Sequence, residues 1–360
     1  MNLTFNNTTT KYVVLTHQPC RDGFMASICA RKYYQEKFPG IVPIFHGIEP
    51  SKQETDLKSL VVKIRTDDPE HKITDIYIEA FDIAFKPEVI FDIIKSNSYN
   101  WNIDIYDHHK SSMDAWQVKN LQDIRLISNS NYIIGPAVTV GSRYDVTING
   151  NYTHIYKVSF FNDMNECGAS LAWIYYFRHE PIPTFIQYVK DRDNWLFDTP
   201  EAKARHSMEV NEYLMATSPK YDDYPAWFEY FNKDQAFFDM AYQGGKMLMD
   251  MKNTYVNSII NCGTCRQIDG KNVFVCNSPI LVSDVGNAAC EKVGTVPGTY
   301  LCDYAMIWRY DEKSKSYYVS LRSRKGGMDV QEIAKKYNGG GHINASGFES
   351  NNMNFLELVQ

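Results

Sequence analysis

The chain has 360 residues, 44% of them hydrophobic, and a formal net charge of −6. The length favours two domains of roughly 200 and 100 residues, and the acidic balance excludes a protein that coats long duplexes through a basic surface, because phosphate neutralisation supplies most of that affinity. Eight cysteines at irregular spacing build no disulfide framework, the start has no basic-then-apolar leader, and no run reaches the roughly 18 apolar residues that span a bilayer, so a cytoplasmic chain in a reducing compartment, with no membrane partner, is expected.

Tyr12 to Thr16 is a short apolar run that reads as a buried strand ending at His17. From Gly23 the period changes: Met25, Ile28, Cys29 and Tyr33 recur at three- and four-residue steps and predict a helix to about Phe38, stopped by Pro39-Gly40. Ile41–Phe45, Ile73–Ala80 and Trp101–Tyr106 are the next strands, and Pro87 opens a helix with Val89, Ile90, Ile93 and Ile94 on one stripe. Strands alternating with helices imply an α/β fold with a mainly parallel sheet flanked by helices. Beyond Lys110 the alternation breaks, and Tyr144–Ile148 and Tyr152–Phe161 flank Asn149-Gly150 as a β-hairpin that is either a rim of the site or a surface insertion. Helices follow over Gly168–Phe177 and Ile182–Lys190. Residues 1–200 are thus read as one domain, 201–262 as a helical linker, and 263–360 as a smaller α/β domain with strands at Val273–Cys276, Tyr304–Trp308 and Tyr317–Leu321 and helices starting near Ser283 and Asp329.

Four acid and imidazole clusters punctuate the first domain: His17 to Gly23, Phe81-Asp82, Asp107-His108-His109, and Asp191 to Trp195. Three of them follow directly on an apolar run, and the carboxyl ends of strands in an α/β sheet converge on one crevice. Two divalent cations about 3.5–4 Å apart can activate a water, polarise a phosphoryl group and stabilise a leaving oxygen, and they need shared carboxylates with imidazoles beside them. Asp82, alone after the third strand, is the natural bridge. His17 and Cys20 would serve one cation, and Asp22, His108 and Asp191 the other, with His109 as an outer group or phosphate donor. Oxygen and imidazole together favour Mn2+ over Mg2+ or Ca2+. Taken singly, each piece has a bland reading: an Asp-Gly turn, a strand-end cap, a surface His-His pair. Their order and repeated strand-end placement carry the argument.

Asp107-His108-His109, with His17…Asp22-Gly23 upstream and Asp82 between, resembles the DHH superfamily of phosphoesterases. The stretch from Asn338 through Gly339-Gly340-Gly341-His342 to Phe348 resembles the GGGH signature of that family's associated substrate-binding domain. The resemblance spans nearly the whole chain except residues near 120–165. It implies metal ligation by His17, Asp22, Asp82 and His108, with Asp107 orienting its neighbours or reaching a metal, and catalytic roles for His108, His109 and Asp82. It selects Asp191 over Asp193, because the family's ligand Asp is commonly followed four residues later by an aromatic, here Trp195. It places Arg322 and the loop Gly339, Gly340, Gly341 and His342 on the terminal nucleotide. It further implies two divalent cations (Mn2+, with Mg2+, Co2+ and Zn2+ as alternatives) and hydrolysis of short oligonucleotides to mononucleotides, with a cyclic dinucleotide as the second substrate class and a non-catalytic nucleotide sensor as the third reading. A homodimer is compatible with it. Two features stand apart: Cys20 occupies a place where most members carry Asp, which shifts metal preference toward softer ions, and Gly339 could simply close the helix that Asp329 caps.

Overall fold

The computed structural model describes residues 9–83, 85–95, 98–116, 125–126, 131–132, 141–147, 156–292 and 300–356. The chain divides into two compact units, 1–245 and 246–360. In the first, β1 (Thr10–His17), α1 (Arg21–Lys37), β2 (Ile44–Ile48), α2 (Gln53–Thr66), β3 (Asp75–Phe81), α3 (Pro87–Lys95) and β4 (Asn100–Asp107) alternate regularly. Then come α4 (Lys110–Ala115) and the strands β5 (Arg125–Leu126), β6 (Asn131–Tyr132), β7 (Gly141–Thr147) and β8 (Tyr156–Asn162). Helices α5 (Gly168–Tyr176), α6 (Thr184–Asp193), α7 (Pro200–Ala204), α8 (Ser207–Thr217) and α9 (Tyr224–Glu229) lead to the long α10 (Gln235–Ile260), which crosses the division.

The sheet order is β2-β1-β3-β4-β8-β7-β5, with β6 also on β7. Strands β2 through β8 in that order are parallel, and β7 runs antiparallel to β8. After β2 the chain passes to the other side of β1, so a topological switch point lies beside β1, where α/β sheets open a crevice at their carboxyl ends. Both faces are covered, which is why the strands read as apolar runs. Val13, Leu15, Ile78 and Ile103 join one core with Leu60 and Ile64 of α2, and Val14, Phe81 and Tyr106 join the other with residues of α1 and α5.

The expected α/β class, its mainly parallel sheet and its smaller C-terminal α/β domain are all present. The second strand falls three residues later than Ile41–Phe45 because Pro43 has no N–H for a ladder and Val42 is exposed. Helix α2 was not anticipated, although Leu57, Leu60, Val61 and Ile64 form its buried stripe. The pairing of Tyr144 with Val158 places the expected antiparallel ribbon, while its Asn149-Gly150 turn lies outside the described residues. The stretch expected as a linker is divided: Val210, Leu214, Trp227, Tyr230, Phe238 and Ala241 pack into the core around α1, and residues from 246 belong to the second unit.

That second unit contains β9 (Thr264–Ile268), β10 (Lys271–Asn277), α11 (Val282–Glu291), β11 (Tyr304–Asp311), β12 (Ser316–Arg322), α12 (Val330–Lys336), β13 (Gly340–His342) and β14 (Ala345–Ser350). Its sheet runs β13-β14-β12-β11-β10-β9, with only β10 and β11 parallel among these pairs. Alternation along β10 sends Val273 and Val275 to the α12 side and Phe274 and Cys276 to the α11 side. Asp329 caps α12 by accepting from the backbone N–H of Gln331 at 2.9 Å. The left-handed residue after that helix is Asn338 (φ 60°), not Gly339. No helix among the described residues is long and apolar enough to cross a membrane.

One buried acid is fixed by the α1 and α5 packing. Glu79 of β3 accepts hydrogen bonds from Tyr34 (2.9 Å), Tyr175 (3.1 Å) and Tyr176 (2.6 Å). Burial outweighs these donors and pushes its carboxyl up to about 7. An acid with a native pKa above its unfolded value near 4.5 stabilises the fold below that value, and the contribution is lost as pH rises through 7. Glu79→Gln keeps an acceptor for the tyrosines and cannot ionise. Unfolding free energies from urea titrations at pH 5 and pH 8 should therefore differ less in the variant, by on the order of 1–3 kcal/mol; an unchanged difference would refute the assignment.

Candidate metal centre

The strand register aligns the clusters. Thr16 pairs with Phe81, Phe81 with Tyr106, and Tyr106 with Phe161, so His17, Asp82 and Asp107 emerge at one level from β1, β3 and β4. Asp82 turns out of the strand with φ 60°, held by its backbone N–H donating to the Tyr106 carbonyl at 3.0 Å. Such a conformation in a non-glycine residue costs energy that the surrounding packing must offset.

Asp82 is the hub. Its Oδ1 lies 3.1 Å from His108 Nε2 and 3.9 Å from His109 Nδ1. His17 Nδ1 approaches Oδ2 at 3.4 Å without forming a hydrogen bond, and Oδ2 is buried with no partner. Asp22, in the first turn of α1, reaches across to the start of α5, where it accepts from the backbone N–H groups of Gly168 and Ala169, the latter at 2.8 Å. Asp107 accepts from Ser112 Oγ and lies 2.8 Å from His109 Nδ1, so it orients that ring.

Close approach sets two glycines. A Cβ at Gly23 would lie 2.4 Å from the His17 carbonyl oxygen, and one at Gly168 would lie 2.4 Å from Asp82 Cβ and 2.9 Å from an Asp22 oxygen. The Gly23 of the first cluster therefore lets α1 press on β1. Gly168 does the same for α5, and sequence reasoning missed it because an isolated Gly opening a helix carries no functional signal.

Among the described residues, three groups of side chains offer ligand atoms mutually within 4.8 Å: His17, Cys20 and Asp82; Asp22, His108 and Asp193; and Asp82, Asp107, His108 and His109. Asp82 and His108 are each shared between two groups. The expected set comes together with one correction. Asp191 is engaged elsewhere, both its oxygens accepting from Arg205 Nη2 at 2.9 and 2.8 Å, whereas Asp193 Oδ2 lies 3.4 Å from His108 Nε2. The two are two residues apart on α6 and point to different sides of it; the face that buries Phe185, Ile186 and Val189 leaves Asp193 toward the centre.

The electrostatics fit cations. Burial, then Asp82 and Asp193, push Asp22 up to about 8. For Asp82, burial is outweighed by His108 and His17, and its pKa is held at about 2. Burial opposes protonation of His108, but the Asp82 hydrogen bond and the neighbouring carboxylates raise it to about 9. Cys20 is pushed up to about 12 by burial and then by Asp82, so it is a thiol until a cation replaces its proton. Crowded carboxylates, a buried oxygen without a partner and imidazole nitrogens are the donor set that hard or borderline divalent cations take.

In the second unit, the Arg322 guanidinium donates to Ser283 Oγ at 2.7 Å and to its neighbour's carbonyl, that of Leu321, at 2.8 Å. Gly340, Gly341 and His342 form β13 against β14, and Gly339 N–H donates to the Ala334 carbonyl at 2.9 Å. The triple glycine is thus a turn running into an edge strand.

Fold and centre together place a cluster of side chains able to hold divalent cations at the carboxyl ends of a parallel sheet. Residues 280–360 match the DHHA1 domain family. A DHH domain described as from a member of the s1p family of ribosomal proteins has the same fold, at 11% identity, with 94% of this chain and 82% of that one covered and a TM-score of 0.50. An uncharacterized protein of Acanthamoeba polyphaga mimivirus is 25% identical over 343 residues, which cover 93% of this chain and 66% of that one, so the chain spans just under two thirds of its relative's length. Residues 280–360 are thus similar to the DHHA1 domain family, and the chain shares its fold with a DHH domain.

The two carboxylates of α6 are separable by experiment. Asp193→Asn should reduce bound manganese, read by calorimetric titration, with little change in unfolding. Asp191→Asn should leave metal binding nearly intact and cost about 1–3 kcal/mol of stability by breaking a largely buried pair, discounted for the partial exposure of Arg205. The opposite pattern would restore Asp191 to the centre. Gly168→Ala should cost roughly 1–3 kcal/mol and lower metal affinity together, because its methyl group displaces Asp82.

Proposed function

We propose that the chain hydrolyses phosphodiester bonds of short oligonucleotides with the help of two divalent cations, manganese foremost, and releases mononucleotides. The observation that carries this reading is Asp82, one carboxylate common to two ligand groups, with Oδ2 buried and without a partner. His17 and Cys20 would hold one cation, and Asp22, His108 and Asp193 the other, with Asp82 common to both. When bound, they would supply Lewis-acid activation of water and charge stabilisation at the leaving oxygen.

The chain's own groups do the rest. His109 is set by Asp107, whose hydrogen bond also raises its pKa, so its second ring nitrogen keeps a proton to donate to a phosphate oxygen. Its side chain remains 36% exposed, accessible to a substrate, while Asp82 is sealed beneath it at 1%. Asp22 is anchored on the α5 N-terminus and cannot swing away as charge develops, which is the fixed polarity that lowers barriers most. In the second unit, Arg322 and the turn at Gly339, Gly340, Gly341 and His342 are assigned to the nucleotide end, where a guanidinium and backbone N–H groups are apt phosphate donors. The formal charge of −6 supports small substrates over long duplexes.

With manganese, the protein should release mononucleotides from a dinucleotide faster than from a decanucleotide, and a chelator should stop the reaction. Asp82→Ala should lower kcat by roughly 10³-fold. Chromatographic product analysis reads both. Turnover that persists in that variant, or the absence of any mononucleotide release, would overturn the reading.

A further inference from the structure

A cavity of about 600 Å3 in the first unit adjoins the metal centre, and no step above uses it. Cys20 belongs to both, lining the cavity and standing in the ligand group with His17 and Asp82. Arg21 and Arg31 enter from α1, Phe45 and His46 from β2, Tyr221 from the segment before α9 and Tyr224 from its first turn.

Two guanidiniums share this space without a counter-ion. Among the described residues, neither Arg21 nor Arg31 has a carboxylate within 4.0 Å, and Asp222 is the one acid among the lining residues. The ends of Arg21 reach only neutral acceptors, Met215 Sδ at 2.7 Å and Ser218 Oγ at 2.8 Å. Arg31 lies between two rings, its Cζ 3.7 Å from the Phe45 centroid and 4.0 Å from that of Tyr224. The Nε of each arginine and Nε2 of His46 are buried without a partner. Burial is felt as a cost at Arg31, whose pKa it lowers. Uncompensated cations are unexpected in a chain of net charge −6, unless an anion completes them. The walls add flat aromatic faces, on which nucleobases of any kind stack, and the volume lies within the range of small-molecule sites.

We propose that this cavity is a nucleotide subsite, in which the phosphate of a nucleoside monophosphate unit neutralises Arg21 and Arg31 while its base lies against Phe45, Tyr221 and Tyr224. The inference rests on the phosphodiesterase reading, since Cys20 makes the unit bound here the one adjoining the bond to be cut. Guanidiniums suit this task because they meet phosphate oxygens in a fork and stack on rings at once. His46 belongs to none of the acid and imidazole clusters of the sequence, and its position on the cavity wall is visible only in the fold.

The test is equilibrium binding of AMP, ribose 5-phosphate and adenosine to the full chain, with photolabelling by 8-azido-AMP. AMP should bind at least tenfold more tightly than either fragment, because only it fills both the cationic and the aromatic part. Arg31→Gln and Phe45→Ala should each weaken AMP at least tenfold at an unchanged unfolding midpoint, and the label should fall on peptides containing Phe45, Tyr221 or Tyr224. AMP affinity indifferent to both substitutions, or label confined to residues 320–348, would overturn the subsite. The labelling needs no variant, so a misfolded substitution does not blunt the test. Binding is read without turnover: failure of dinucleotide hydrolysis counts against the phosphodiesterase reading alone, and failure of labelling here against the subsite alone.

Discussion

The carboxylate of Asp82 stands at the end of β3 with one oxygen facing His108 and the other sealed from water without a hydrogen bond. A buried, ionised oxygen in that state costs several kcal/mol unless a cation completes it. The same residue turns out of its strand in a left-handed conformation, a second cost at the same position. Under the two-cation reading proposed for this centre, a cation at the carboxylate offsets both costs. Asp22 on one side and Asp193 on the other are then repelling neighbours that the same cations reconcile.

Holding these groups together is the work of the sheet and of two close helix approaches. The parallel register brings His17, Asp82 and Asp107 to one level, and the α1 and α5 termini descend on them where Gly23 and Gly168 leave room. The first turn of α1 supplies Asp22, and the first turn of α5 supplies the N–H groups that fix it. A helix terminus thereby does for a carboxylate what it does for a bound anion elsewhere: it fixes negative charge where positive ions are needed. Beneath this level, Glu79 and its three tyrosines form a second polar node on the same face of the sheet, satisfied wholly by hydroxyl donors and without need of metal.

Beside the centre, the α1 face that carries Arg21 and Arg31 behaves differently from the face that carries Asp22. One side of the helix gathers crowded carboxylates, and the other gathers guanidiniums without a counter-ion, with Cys20 between them at the helix start. That polarity suits a substrate whose phosphate spans from cations to arginines, and the aromatic rings around Arg31 keep the guanidinium desolvated and ready to pair.

Much of this was legible in the chain itself. Apolar runs ending in His17, Asp82 and Asp107 announce buried strands with ligands at their carboxyl ends, because periodicity and strand-end placement are local properties. The glycine-rich stretch before Phe348 and the Asp329 cap were legible for the same reason. What local pattern could not decide was which of Asp191 and Asp193 faces the centre: both are polar residues at the end of one helix, and only the packing of Phe185, Ile186 and Val189, with Arg205 arriving from fourteen residues downstream, fixes the rotation of α6. Likewise, no spacing reveals that Gly168 must be side-chain-free, that Asn338 rather than Gly339 takes the left-handed turn, or that Arg31 slots between Phe45 and Tyr224. Local pattern sets the kinds of side chain and the strand ends that bear them; packing settles which of them meet, since contact between residues distant in the chain depends on helix rotation and strand register, which no local pattern encodes.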